Sequence, residues 1–257
     1  VTRAAPVHNY FEHGRLVIPD AVQLGFETAG EAEIPGMARH LVSELGRRRL
    51  GVQRNRLRAR FDFRITNNWS VYVSGREEAR NGQRPVSIGA FEPLSGDGAA
   101  YALIGFEVPA AVEIRTSDIA AGTSFHRPRF GFDAGFIYSR FRNSIADILY
   151  DNPFRLSDAL GPLQASRVIS ADWPSTVSTS AIVSGYFTPL DDVRLASTVA
   201  WSRVAQDELF TSYTLNTVMP APGFPEGLGP VNKETLPRRS LQGRVRTLTM
   251  DHALAWQ

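Results

Sequence analysis

From Arg54 to Ile65 the chain alternates residue by residue. Leu57, Ala59, Phe61, Phe63 and Ile65 fall on one side, and Arg54, Arg56, Arg58, Arg60, Asp62 and Arg64 on the other. A period of two sustained this long predicts a β-strand with one apolar and one charged face. An exposed face of a soluble sheet usually mixes Thr, Ser, Lys and Glu. A face dominated by arginine suits a strand whose apolar side meets lipid and whose charged side lines a wet lumen. Asn67-Asn68 reads as a tight turn, because Asn tolerates positive φ. Trp69, Val71 and Val73 then resume the apolar face, with Ser70, Tyr72, Ser74 and Arg76 opposite. The pattern predicts a long antiparallel hairpin. Leu57, Phe61, Phe63, Ile65, Trp69, Val71 and Val73 are its lipid-facing candidates, and Arg54, Arg56, Arg58, Arg60, Asp62 and Arg64 its lumen-facing, partner-contact candidates. The alternative is a long hairpin in a soluble β-sandwich.

No run of eighteen apolar residues occurs, so the sequence holds no transmembrane helix. A transmembrane barrel leaves a weaker signal, carried by alternation. Membrane strands are half polar, so 43% hydrophobic residues and a mean hydropathy of −0.18 are compatible with one. A net charge of +2 does not mark a nucleic-acid binder. The chain has no cysteine, which removes disulfides, thiolate metal sites, cysteine nucleophiles and any covalent c-type haem site within it. No signal peptide is visible in the first fourteen residues, and the last strand pattern runs to Gln257 with no turn or anchor signal. The chain reads as part of a single barrel domain over 1–257, cut at both ends.

Leu16 to Thr28 is a plausible strand interrupted by Pro19, and Gly36 to Leu45 a possible short helix. Glu77 to Gly98, rich in Gly and Pro, reads as a long loop. The next strands run from Ala110 to Phe125 and from Arg129 to Leu149, joined by a turn at Pro128. On the second, Phe132, Ala134, Phe136 and Tyr138 alternate with Gly131, Asp133, Gly135 and Ser139. Inward glycines leave room in a lumen or mark a bend. Residues 150 to 176 form a second long loop. Thr179 to Phe187, a turn at 189–192, and Leu195, Val199 and Trp201 make a third pair. Residues 206 to 238 form a third loop, and a last strand begins near Ser240. Short turns on one side and long loops on the other are the asymmetry of outer-membrane barrels, with short periplasmic turns and long extracellular loops. About eight strands are visible. Arginine stripes are costly to bury in a narrow packed interior, so these strands fit a wider barrel of which they form a portion.

No catalytic motif is present. His8, His13, His40, His126 and His252 show no metal-binding pairing, and HExxH, GxSxG and P-loop patterns are missing. Glu77-Glu78 sits beside Arg76 and Arg80 and reads as a solvated ion-pair cluster at a loop edge. Trp69, Tyr72, Tyr138, Tyr150, Tyr186, Phe187 and Trp201 read as an interfacial aromatic girdle or as ordinary β packing; the girdle is preferred for Trp69 and Phe187.

Four segments in order resemble one family: RNRLRARFDFRITNNWSVYVSGREEARNGQRP (54–85), GFIYSRFRNSIADILYDNPF (135–154), IVSGYFTPLDDVRLASTVAWS (182–202) and QDELFTSYTLN (206–216). Together they resemble the MtrB/PioB decahaem-associated outer-membrane proteins. The resemblance implies an antiparallel up-and-down transmembrane β-barrel of more than twenty strands. It acts as an insulating sleeve around a periplasmic decahaem c-type cytochrome in its lumen, so that electrons cross the outer membrane. Haem c belongs to that partner, and the barrel carries no cofactor or metal and is not an enzyme. An extracellular multihaem cytochrome and outer-membrane lipid are further partners. Two departures stand out: the chain is far shorter than a full sleeve, and the Cys-x-x-Cys that some members carry is not seen. A general porin or solute channel, and a soluble β-rich domain, are the competing expectations.

Overall fold

The computed structural model describes residues 50–93, 101–152, 156–158, 165–211, 215–218 and 238–256. It also describes Phe11–Glu12, Arg15–Leu16 and the single residues Leu24, Glu33, Gly36 and Arg39. The strands are β1 (Phe11–Glu12), β2 (Arg15–Leu16), β3 (Gly51–Thr66), β4 (Trp69–Pro93), β5 (Tyr101–His126), β6 (Phe130–Asn143), β7 (Asp147–Asp151), β8 (Arg167–Ala171), β9 (Thr176–Leu190), β10 (Val193–Gln206) and β11 (Gly243–Trp256). Seven of them form one antiparallel sheet in the order β11-β10-β9-β6-β5-β4-β3. β1-β2 and β7-β8 are separate two-stranded sheets. Among the described residues the large sheet is open, with β3 and β11 at its edges.

The alternation that predicts β3 also sets its register. Phe61 lies opposite Val73, Phe63 opposite Val71, and Ala59 opposite Gly75. A one-residue slip would turn every side chain to the other face. The turn falls at Asn67-Asn68 as expected, but for another reason. Gln242 is the non-glycine residue with positive φ among those described, so neither Asn is left-handed. A register shift between Arg64 and Thr66 lies beside the turn instead, and a bulge there adds local twist. The β9–β10 turn has the same device, between Val193 and Leu195.

Several boundaries differ from expectation. Glu77 to Gly98 is not a loop through most of its length: β4 continues to Pro93 and pairs residue for residue with β5 from Tyr101. Pro85 faces Pro109 in that ladder, so the two prolines sit at one cross-strand position instead of ending the strands. The stretch from Arg129 to Leu149 is two strands, β6 and β7, and the loop at 150–176 contains β8. The predicted strand at Leu16 to Thr28 and helix at Gly36 to Leu45 lie for the most part outside the described residues.

Among the described residues, the buried apolar ones are Ala110, Val112, Ile114, Ile148 and Tyr150. The first three lie on the charged-face side of β5, opposite Arg84, Gly82 and Arg80. β2 lies against both β5 and β7. Arg84 reaches Asp172 at 2.6 Å, its guanidinium stacks 4.5 Å over the Trp173 ring, and the Asn143 amide donates to the Trp173 carbonyl at 3.0 Å. The connection between β6 and β9 is thus folded onto the charged face and tied there.

Candidate lumen wall and membrane face

The register carries the two faces of β3 across the whole sheet. One face runs Phe61, Val73, Ala121, Phe136, Ala181, Trp201, Leu248 in a single row. The row toward the short turns runs Phe63, Val71, Thr123, Ala134, Val183, Val199, Met250. This face is open to the surroundings: Leu57 is 72% exposed, Phe61 62%, Leu254 68%. Fully covering one such side chain is worth about 1.5–3 kcal/mol. Leu57, Phe61, Phe63, Phe136, Val183, Leu248 and Leu254 alone leave on the order of 10 kcal/mol unrealised in water, comparable with the whole stability of a domain, about 5–15 kcal/mol. A face like this needs a non-aqueous neighbour.

Aromatic residues bound the apolar band. Near the short turns stand Trp69, Phe125, Phe130, Phe132 and Phe187, with Phe125–Phe130 ring centroids 5.4 Å apart. The Trp69 indole N–H donates to Thr123 Oγ1 at 2.8 Å, so its polar end is satisfied on an otherwise apolar face. At the other border stand Tyr138 and Trp201. Tyr72 and Tyr186 do not join these belts, because their parity puts them on the opposite face, and Tyr150 is buried in β7.

The opposite face has two textures. From β5 to β11 it carries mainly small and hydroxyl side chains, including Ser139, Ser178, Ser180, Ser202, Thr247 and Thr249, interrupted by Ile137, Ile182, Val204 and Val245. On β3 and β4 it carries eight arginines (Arg54, Arg56, Arg58, Arg60, Arg64, Arg76, Arg80, Arg84). Three carboxylates share that region. Glu78, buried, accepts from Arg54 at 2.6 Å, from Arg56 at 2.8 Å and from Arg80 at 2.7 Å. Asp118 accepts from Arg76 Nε at 2.6 Å and from Ser139 Oγ at 2.6 Å. Asp62 pairs with Arg60, whose guanidinium also lies 4.2 Å over the Tyr72 ring.

The predicted charged set is therefore brought together on one face, but unequally. Arg54, Arg56, Arg60 and Asp62 are held by neighbours. Arg58 and Arg64 have no carboxylate partner among the described residues, and Arg58 sits directly across from Arg76. Like charges directly opposite are unfavourable in a sheet, so this wall holds uncompensated positive charge. The Glu77-Glu78 reading holds as ion pairing but not as a solvated loop cluster. The two residues lie on opposite faces of β4: Glu78 is buried beneath three guanidiniums, and Glu77 stands 3.7 Å from Arg115. Sequence reasoning missed Glu78 and Asp118 as organisers, because their role depends on which strand lies alongside.

Gly131 and Gly122 do not leave open space, whereas a Cβ on Gly135 would stand at ordinary contact distance, 3.5 Å from Ile182 Cγ2. A Cβ on Gly122 would lie 2.4 Å from Tyr72 Cε1, and one on Gly131 would lie 2.7 Å from Tyr186 Cε1. The room is already taken by aromatic rings of the same wall.

An antiparallel sheet with one exposed apolar face, aromatic belts at both borders, short turns at one end and long connections at the other is the wall of a transmembrane β-barrel. The family of outer membrane β-barrel porins called MtrB/PioB matches residues 7–257, and the chain belongs to it. This places the protein in the bacterial outer membrane. A search of curated proteins finds no match. Among solved structures, the open form of the ferric-catecholate import receptor Fiu from E. coli K12 is similar at 9% identity and a TM-score of 0.35. That similarity covers 79% of this chain and 32% of the receptor, so the chain spans about a third of the receptor's length.

Proposed function

We propose that this chain forms part of an outer-membrane sleeve that houses and insulates a periplasmic multihaem c-type cytochrome. In this reading the apolar face meets lipid, and the other face lines the lumen. Short turns are periplasmic and long connections extracellular. A closed ladder satisfies the backbone in hydrocarbon, where no water can. The observation that carries the reading is the excess of guanidinium on one face at β3–β4. Arg58 and Arg64 are free to make charge-assisted bonds to haem propionates or to carboxylates of a guest. The small side chains from β5 to β11 let a protein surface approach closely. The barrel contributes containment and electrostatics, and the redox groups belong to the guest.

Replacing Arg58 and Arg64 together by Glu in the full-length protein tests this. Haem absorbance co-purifying with the barrel should fall several-fold, while membrane insertion, read by heat-modifiable electrophoretic mobility, persists. Unchanged haem content would overturn the lumen assignment.

One observation favours a second reading, a solute channel: the segment after β6 folds onto the charged face through Arg84 and Asp172. Porin mouths are narrowed by such means. Anion-selective conductance in planar bilayers without any co-purifying cytochrome would support the channel.

A further inference from the structure

The apolar face ends abruptly on the side of the long connections. On β6 the outward positions run Phe132, Ala134, Phe136, Tyr138 and then Arg140 and Arg142. On β10 Trp201 is followed by Arg203. On β11 Leu248 is followed by Arg246 and Arg244. The ladder aligns them: Arg203 faces Arg246, and Ala205, in the next row, faces Arg244. Val177 links the row of Arg140 to that of Ala205. Three strand spacings separate Arg140 from Arg244, roughly 14 Å.

Five guanidiniums of β6, β10 and β11 thus stand on the face that carries the apolar band, at and beyond its aromatic border, and a sixth, Arg115 of β5, lies across the ladder from Arg142. Phe132 to Arg140 is eight rises along the strand, about 27 Å, which at a strand tilt of about 35–45° projects to roughly 19–22 Å, most of an apolar band about 25 Å tall. None of the five has an ion-pair partner among the described residues. The Arg203 Nε is buried and unpartnered. Of the carboxylates near them, Glu77 stands 3.7 Å from Arg115, Glu208 accepts from the Ser175 amide, and Asp207 accepts from Ser240, while Glu113 lies next to Arg115 along the same face of β5. Beside Arg140 and Arg142 lies a depression of about 440 Å³, lined also by Val177, Ala205, Asp207 and Glu208. Arginines facing one another across a ladder are unfavourable unless an anion lies between them.

We propose that Arg140, Arg142, Arg203, Arg244 and Arg246 form a seat for the phosphorylated headgroup of lipopolysaccharide in the outer leaflet. The five lie at headgroup level, on the side of the long connections. Bidentate arginine matches phosphate. Trp201 sits one row below Arg203, where the sugar meets the acyl chains, and Tyr138 shares the row of Arg203 and Arg246. The inference rests on the apolar face meeting lipid, and it does not depend on the cytochrome.

The test uses full-length protein extracted from outer membranes, delipidated in detergent and melted with added lipid. Bisphosphorylated lipid A should raise the melting temperature by several degrees. Dephosphorylated lipid A, and phosphatidylglycerol at equal charge, should not. The variant with Arg140→Gln, Arg203→Gln and Arg246→Gln, or Arg203→Gln alone should the triple fail to insert, should lose most of the rise while retaining its haem. An Arg58→Gln, Arg64→Gln variant should keep it. An equal rise with either control lipid, or an unchanged rise in the outward variants, would overturn the seat. Loss confined to the Arg58/Arg64 variant would overturn it too. Loss of haem by Arg58 and Arg64 variants with the lipid response intact concerns the sleeve alone.

Discussion

At Tyr72 a single side chain organises a patch of wall. Its ring lies against Gly122, and Arg60 stacks on the ring while forking onto Asp62. Gly122 is there because the ring needs the space of the missing Cβ, and the ring in turn holds the guanidinium in a fixed plane. Gly122→Val should therefore force Tyr72 out of place and cost about 1–3 kcal/mol, the usual scale of overpacking. Pairing it with Tyr72→Ala should recover most of that loss. A double-mutant cycle on thermal or urea unfolding in detergent checks this, and additive losses would count against the ring-on-glycine contact.

The element that departs most from a plain barrel wall is the connection between β6 and β9. Asp158 is its hub. Its carboxylate accepts from the Ser166 amide and hydroxyl, each at 2.8 Å, and from the Thr217 amide at 2.7 Å and hydroxyl at 2.8 Å. It thereby joins this connection to the one following β10. Thr211 adds a second tie to Asp147 at 2.7 Å. Burial pushes the Asp158 carboxyl up, but the bonds from Ser166 and Thr217 outweigh it and hold it below the usual carboxylate range. In the same element burial pushes the Tyr150 hydroxyl up to about 12. A depressed carboxyl contributes stability above its unfolded pKa, about 3.9, and loses it as pH falls through the folded value. Proteolysis of residues 150–176 should accordingly be slow at neutral pH and quicken below about pH 4. Asp158→Asn should cleave faster already at neutral pH, with its acid response flattened. An unchanged cleavage profile in the variant would remove Asp158 as the hub.

Across the whole molecule, direction and face are the governing facts. β3 and β11 are separated by five antiparallel neighbours, so they run the same way. Joining those two edges directly would make one parallel pair. An all-antiparallel barrel built on this sheet needs an odd number of further strands between them. A second copy related by an axis along the membrane normal would not supply it, since its β3 would also meet β11 in parallel. Sidedness has a direct readout because residues 1–257 contain no cysteine. In intact outer-membrane vesicles free of cytochrome, Arg58→Cys should react with a water-soluble maleimide and Phe61→Cys should not, although the two are three residues apart. Equal labelling, or the reverse, would show that the apolar face is not in lipid.

The sequence by itself determined the strands and their two faces. Alternation is a property of each strand alone, and Arg54 to Ile65 states it without help from any neighbour. It also placed the turns, because Asn67-Asn68 and Asp191-Asp192 interrupt that alternation locally. The extension of β4 to Pro93 was hidden because Gly and Pro break the apparent period, while cross-strand pairing with β5 carries the ladder through. Only the tertiary structure put Glu78 under three arginines, folded Asp172 and Trp173 onto Arg84, and aligned Arg140 with Arg244 through β9 and β10. These depend on register between segments as much as a hundred residues apart, and on β6 pairing with β9 instead of with its successor in sequence. Which charge neutralises which is a matter of lateral neighbours, and a one-dimensional period carries no record of them.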